Sequence, residues 1–168
     1  MHGNQRQTLL SYAAGIFDAD GCFMITKHKR DRFSPTYLPS MKIAMVEKEA
    51  ILSLVEDLGY GTILKEGARK SRPTSKDMYI WYLRSKGVIQ KFLEELIPYL
   101  KIKRDRAQFL LDYCNKVKDC PSPTLGLDDE ELVFREESYK NMRKLNGYKV
   151  AATTESSGPE RVSDSLAS

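Results

Sequence analysis

Two aspartates, Asp18 and Asp20, close a run of small and apolar residues that ends at Gly21. On a helix, residues four apart stack on one face. Ser11, Gly15 and Ala19 form such a row, and every member is small. Small side chains let two helix backbones approach closely, so the row suits packing against a second copy of itself across a two-fold axis. Tyr12 and Ile16 flank the row and belong to the same expected interface. Asp20 then lies at the end of the contact, and two copies bring two carboxylates together. Paired carboxylates repel unless a cation sits between them. Hard oxygen ligands with waters completing the shell are what Mg²⁺ accepts, and the Ala19 carbonyl can add a further oxygen. A metal there lowers the pKa of bound water and steadies the leaving oxygen of an in-line displacement at phosphorus. The plain alternative is a capped helix end whose acids are merely solvated.

The elements that must position these groups follow from periodicity and punctuation. Thr8 to Asp18 reads as a helix with Thr8 as N-cap. Cys22 to Arg32 reads as a strand, Ser34-Pro35-Thr36 as a turn, and Tyr37 to Glu47 as a second strand. Lys48 to Leu58 is an amphipathic helix with Ile51, Leu54, Val55 and Leu58 on one side, stopped by Gly59-Tyr60-Gly61. Thr62 to Glu66 and Asp77 to Arg84 are strands joined by a basic turn. Helices follow over Val88 to Tyr99, Asp105 to Val117 and, after the Pro121-Ser122-Pro123 break, Asp128 to Leu145. The order is αββαββα plus two helices, an α+β pattern.

The 168 residues and the 41% hydrophobic content suit one domain, taken as residues 1–146. Residues 147–168 turn to Ser, Thr, Ala and Gly and read as a partly disordered tail. Cys22, Cys114 and Cys120 have neither metal nor disulfide spacing, which suits free thiols in a reducing compartment. No leader and no bilayer-length apolar run is seen, so a soluble, intracellular protein is expected, with no membrane partner. Residues 1–120 carry 21 basic against 14 acidic side chains, and residues 121–168 carry 6 against 9. A basic body of this kind fits a polyanion.

The stretch Tyr12-Ala13-Ala14-Gly15-Ile16-Phe17-Asp18-Ala19-Asp20-Gly21 resembles the LAGLIDADG motif of homing endonucleases, and only one copy is present. The resemblance implies the single-motif homodimeric branch: a saddle-shaped four-stranded antiparallel sheet with helices on one face, binding double-stranded DNA. It implies Asp20 as the metal-binding acid, with Mg²⁺, or another divalent ion such as Mn²⁺, as cofactor. Relatives usually carry Gln-Lys after the second strand; here the pair is Glu47-Lys48, so a carboxylate takes the place of the water-ordering Gln. Leu100-Lys101-Ile102-Lys103-Arg104 is similar to the family's Leu-Lys-x-Lys pattern, which makes Lys103 the lysine beside the reacting phosphate. Some relatives add an arginine on the helix after Gln-Lys; Glu49-Ala50-Ile51 holds none, and Arg104 is the substitute that the sequence offers.

Strand alternation then divides core from DNA face. With Phe23 and Ile25 inward, Met24, Thr26, His28, Arg30 and Arg32 face DNA. With Met41, Ile43 and Met45 inward, Ser40, Lys42 and Ala44 face it; with Tyr79, Trp81 and Leu83 inward, Met78, Ile80, Tyr82 and Arg84 do. Such a mixture suits base edges and thymine methyls in the major groove. Arg69, Lys70, Arg72 and Lys76 in the basic turn are placed for phosphates. The expected activity is a metal-dependent double-strand break in a long, near-palindromic DNA site, catalysed by Asp20, Glu47 and Lys103 and promoting intron mobility. By the same resemblance the protein works in an organelle, a chloroplast or mitochondrion. The rival is a non-catalytic nucleic-acid binder such as an intron RNA splicing maturase, for which Glu47 is the one hint. A dimeric structural protein is the remaining alternative, disfavoured by the basic turn.

Overall fold

In the computed structural model, which describes residues 3–31, 33–68, 76–118 and 127–148, alternating and amphipathic segments pair as their patterns require. The elements run α1 (Gly3–Ala19), β1 (Cys22–Arg30), β2 (Phe33–Met45), α2 (Lys48–Leu58), β3 (Thr62–Glu66), β4 (Met78–Leu83), α3 (Lys86–Leu96), a 3-10 turn (Ile97–Tyr99), α4 (Arg104–Lys116) and α5 (Asp129–Leu145). The strands form one antiparallel sheet in the order β1-β2-β4-β3. The fold is α+β.

Register follows burial. Phe23 pairs with Met41, Met41 with Leu83, and Ile43 with Trp81, which puts all five on the face that the helices cover. A one-residue slip would turn this whole set into solvent, and that fixes the pairing. On the other face, Cys22, Lys42, Tyr82 and Thr62 form a continuous row across the four strands.

Phe17 joins α1 to this core. Its ring lies 5.5 Å from Phe23, 5.4 Å from Trp81 and 5.8 Å from Phe92, centroid to centroid. One residue later the chain reaches Asp18, so the acids hang from a helix end held by a fully buried aromatic cluster. Gly21 turns the chain out of α1 by donating its N–H to the carbonyls of Ile16 and Phe17. A Cβ there would come within 2.4 Å of Phe17 Cδ1 and 2.6 Å of Phe17 Cα. Gly21→Ala should therefore cost about 1–3 kcal/mol through overpacking. A thermal midpoint equal to the parent's would show that Phe17 can move aside.

The late helices clamp β1. Glu136 on α5 accepts a 2.6 Å ion-pair hydrogen bond from Lys27 and another from the Tyr37 hydroxyl. Asn146 donates to the Phe23 carbonyl at 2.8 Å, and Tyr113 on α4 donates to the Tyr37 carbonyl at 3.0 Å. Asp128 caps α5 by accepting the Glu131 N–H, as its acidic start predicts.

Several expectations need correction. Thr8 is no N-cap: α1 begins at Gly3, and the Thr8 hydroxyl donates back to the Asn4 carbonyl. The extra turns are held by tertiary contacts, since Arg6 pairs with Glu95 at 2.6 Å and donates to the Leu58 carbonyl. Ser34-Pro35-Thr36 is not a turn but the start of β2, with Thr36 opposite His28. β4 pairs with β2 only from Met41 onward, so Pro35 and Pro39 lie where one edge of β2 has no strand partner and a missing N–H is tolerated. The Val88 helix starts two residues earlier, at Lys86, and ends at Leu96 in the 3-10 turn that holds Pro98. Arg32, Arg69, Lys70, Arg72, Cys120, the Pro121-Ser122-Pro123 break and the tail from residue 149 lie outside the described residues.

Candidate active site

The end of α1 is fastened to the start of α4 by Asp18. Its two carboxylate oxygens accept the backbone N–H groups of Lys101 (2.7 Å) and Lys103 (2.8 Å). Burial alone would raise the pKa of Asp18. The N–H groups of Lys101, Lys103 and Ile102, with the Lys103 ammonium, outweigh it and hold the carboxyl below its ordinary value. Asp18 is thus a structural clasp, a role that its place in the motif did not disclose. Asp18→Asn should cost about 1.5–3 kcal/mol, because an amide cannot accept at both positions. The folded pKa lies below the ordinary 3.8. The clasp therefore contributes fully above that value and is lost as pH falls through the folded pKa. Urea unfolding should show the gap between the two proteins constant at neutral pH and closing in acid below the ordinary value; a gap unaffected by acid would contradict the clasp.

The clasp sets Lys103 where its Nζ donates to the carbonyls of Ala19 (2.9 Å) and Gly21 (2.8 Å). A cation there complements the helix C-terminus. Burial first, and the Arg106 guanidinium second, push the Lys103 pKa below the usual lysine value, against the pull of Cys22, Asp20 and Asp18. Lys103 and Asp20 are thus close enough to attract each other without a direct ion pair. Asp20 itself is exposed, and its carboxylate has no hydrogen-bond partner among the described residues.

No cluster of three His, Cys, Asp or Glu side chains exists among the described residues. What α1 offers is one free carboxylate, Asp20, and the Ala19 carbonyl, both hard oxygens of the kind Mg²⁺ takes. The outward face of α1 supports a paired arrangement. Ser11, Tyr12, Gly15 and Ala19 are all exposed, Tyr12 by 59%, whereas Ala13, Ala14 and Phe17 are buried. Ile16 is half-buried and packs partly on the subunit's own core.

Glu47 stands at the N-cap of α2, exposed, and its side chain caps nothing. No hydrogen bond or ion pair links it to Asp20 or Lys103 among the described residues. Arg104 is exposed; the arginine whose charge Lys103 feels is Arg106, half-buried on α4. Arg106 escaped the sequence reading because the Leu-Lys-x-Lys pattern ends before it.

The profile of the LAGLIDADG endonuclease family matches residues 13–118, from the middle of α1 to the end of α4. The chain belongs to this family. It is 24% identical over 126 residues to the DNA endonuclease I-CvuI of Chlorella vulgaris, spanning 73% of each chain. The crystal structure of the homing endonuclease I-CvuI with its target in the presence of Ca superposes with a TM-score of 0.69, 24% identity, and coverage of 88% of this chain and 87% of that one. The archaeal intron-encoded homing endonuclease I-Vdi141I complexed with DNA gives a TM-score of 0.63 at 18% identity, covering 81% of this chain and 82% of that one.

In this LAGLIDADG fold the helix-free face of the sheet carries the residues expected to meet DNA. Met24, Thr26, Lys42, Ile80 and Tyr82 are half-buried on it, and His28, Arg30 and Arg84 are exposed. The Arg84 guanidinium lies 4.2 Å from the Tyr82 ring centroid, which stiffens that pair. Ser40 departs from expectation: it is only 1% exposed and lies 3.4 Å from the Thr26 hydroxyl. Its small side chain sits below its neighbours, beyond easy reach of a ligand. Thr36, Leu38, Thr62 and Leu64 share the face and were missed, since the second strand was expected to begin only at Tyr37 and edge-strand β3 has no strong alternation. No helix among the described residues is long and apolar enough to cross a membrane.

Proposed function

We propose that this protein is a homodimeric, site-specific homing endonuclease that makes a double-strand break in a long, near-palindromic DNA duplex, so promoting the mobility of an intron. The observation that carries the reading is Asp20: an exposed carboxylate without a hydrogen bond, at the end of a helix face made of small residues, beside a lysine held by two carbonyls. Two α1 helices crossing through Ser11, Gly15 and Ala19 would bring one such carboxylate from each copy to a common point. Asp20 from each copy, with the Ala19 carbonyl, would hold a divalent ion such as Mg²⁺, which supplies a water of lowered pKa and charge for the leaving oxygen. Around it the chain's own residues position the phosphodiester. Lys103 places positive charge beside the reacting phosphate. Glu47, free and exposed at the α2 N-terminus, accepts hydrogen bonds from waters near the scissile bond. The outward strand residues read base edges and thymine methyls in the major groove.

The test is a supercoiled plasmid library carrying randomised near-palindromic inserts, incubated with the protein and Mg²⁺. Linear product enriched in one insert family, and abolished by chelator, supports the reading. Salt-sensitive binding with no nicking in Mg²⁺ or Mn²⁺ overturns it in favour of a non-catalytic binder such as a splicing maturase.

A further inference from the structure

Lys42, on the sheet face expected to meet DNA, and Arg106, half-buried on α4, both converge on the end of α1. Lys42 is the direct cross-strand partner of Cys22, the second residue after Asp20. Arg106 lies three residues after Lys103 in the first turn of α4, and positions three apart share a helix face. Lys103 itself is pinned to the carbonyls on either side of Asp20. The three cations therefore surround one spot, the junction between α1 and β1.

Neither Lys42 nor Arg106 has a hydrogen bond or ion pair among the described residues, although both are half-buried. The neighbouring acid Asp18 is spent on backbone N–H groups. Like charges gathered at a partly desolvated place repel. Such a cluster is stable in isolation at a cost and is relieved when an anion enters it. Lys42 also belongs to the Cys22-Lys42-Tyr82-Thr62 row, so the cluster opens directly onto the helix-free face of the sheet.

We propose that Arg106 and Lys42 complete, with Lys103, a three-cation cradle for the scissile phosphate. Arg106 is the principal member, since its planar fork can hold two phosphate oxygens at once. The proposal rests on the endonuclease reading and adds two phosphate-binding residues to it.

The experiment compares Arg106→Gln, Arg106→Lys and Lys42→Gln with the parent on the duplex recovered from the plasmid library. Two quantities are read: the single-turnover cleavage rate at saturating protein in Mg²⁺, and the salt dependence of binding in Ca²⁺. Arg106→Gln should slow cleavage by roughly 10²-fold, the usual effect of losing one donor to developing charge. It should also flatten the slope of log Kd against log salt by about one for each copy bound. Arg106→Lys should keep the slope and recover only part of the rate, since an ammonium is a point charge. Lys42→Gln should flatten the slope similarly, and being a strand-surface change it leaves folding intact, so the cradle stays testable if Arg106→Gln does not fold. A merely structural Arg106 would lower the thermal midpoint and leave the salt slope unchanged. Cleavage within threefold of the parent, with unchanged slopes for both neutralising variants, would overturn the cradle. Should the parent bind but never cut, the endonuclease reading fails while the salt slopes, measured on a duplex selected by binding instead, still decide whether the cradle holds phosphate.

Discussion

Asp20→Asn will bind its duplex and fail to cut it. The substitution keeps the shape of the side chain and removes one charge from each copy, two where the copies meet. Asp20 is exposed and has no hydrogen-bond partner among the described residues. Its loss therefore leaves no buried group unpaired, and the fold should be unaffected. A divalent ion contributes several kcal/mol to charge stabilisation in phosphoryl chemistry, so the rate should fall by at least about 10³-fold. Binding should hold or tighten, because a negative charge close to phosphate has gone. Parallel gel-shift and plasmid-cleavage assays measure both. Cutting at the parent rate would remove Asp20 from the site. Cutting and binding lost together, with a lowered midpoint, would mean that Asp20 supports the fold instead.

The second large effect is expected at Gly15. A Cβ built there meets nothing within 4 Å inside the subunit. Gly15→Leu should even favour the isolated helix by about 0.8–1.0 kcal/mol, since glycine is a poor helix former. Between two α1 helices the same side chain has no room. Sedimentation should show the mass falling from that of two 19.2 kDa chains to that of one, with the thermal midpoint kept and cleavage lost. Opposite signs for the subunit and the assembly make this variant a clean probe of where the copies meet. An unchanged dimer would move the interface off α1.

How much of this was legible in the sequence depends on how local the determining interaction is. α2 was readable to the residue, Lys48–Leu58, because its apolar period is clear and Gly59 stops it; β3 was too, Thr62–Glu66, because Gly61 and Gly67 bracket it. The inward set Phe23, Ile25, Met41, Ile43, Trp81 and Leu83 followed from strand alternation alone. The start of α1 did not, because Arg6 holds the first turns through Glu95, 89 residues away. Pro35 read as a turn because a missing N–H is harmless only at an unpaired edge, and which edge is unpaired is a property of the sheet. Asp18 and Arg106 were the costliest omissions. Asp18 looked like a second acid of the motif, but its partners are backbone groups at 101 and 103, brought up by the turn after α3. Arg106 lies beyond the Leu-Lys-x-Lys pattern, and only the clasp that orients α4 gives it a direction.

The most direct test of the account is crystallography of the protein on its recovered duplex with Mn²⁺, using the anomalous signal of the ion. Two copies are expected on one duplex, with ion density between the two Asp20 carboxylates, one from each copy, where the α1 helices cross. A single copy on the duplex, or an ion bound away from Asp20, would contradict it.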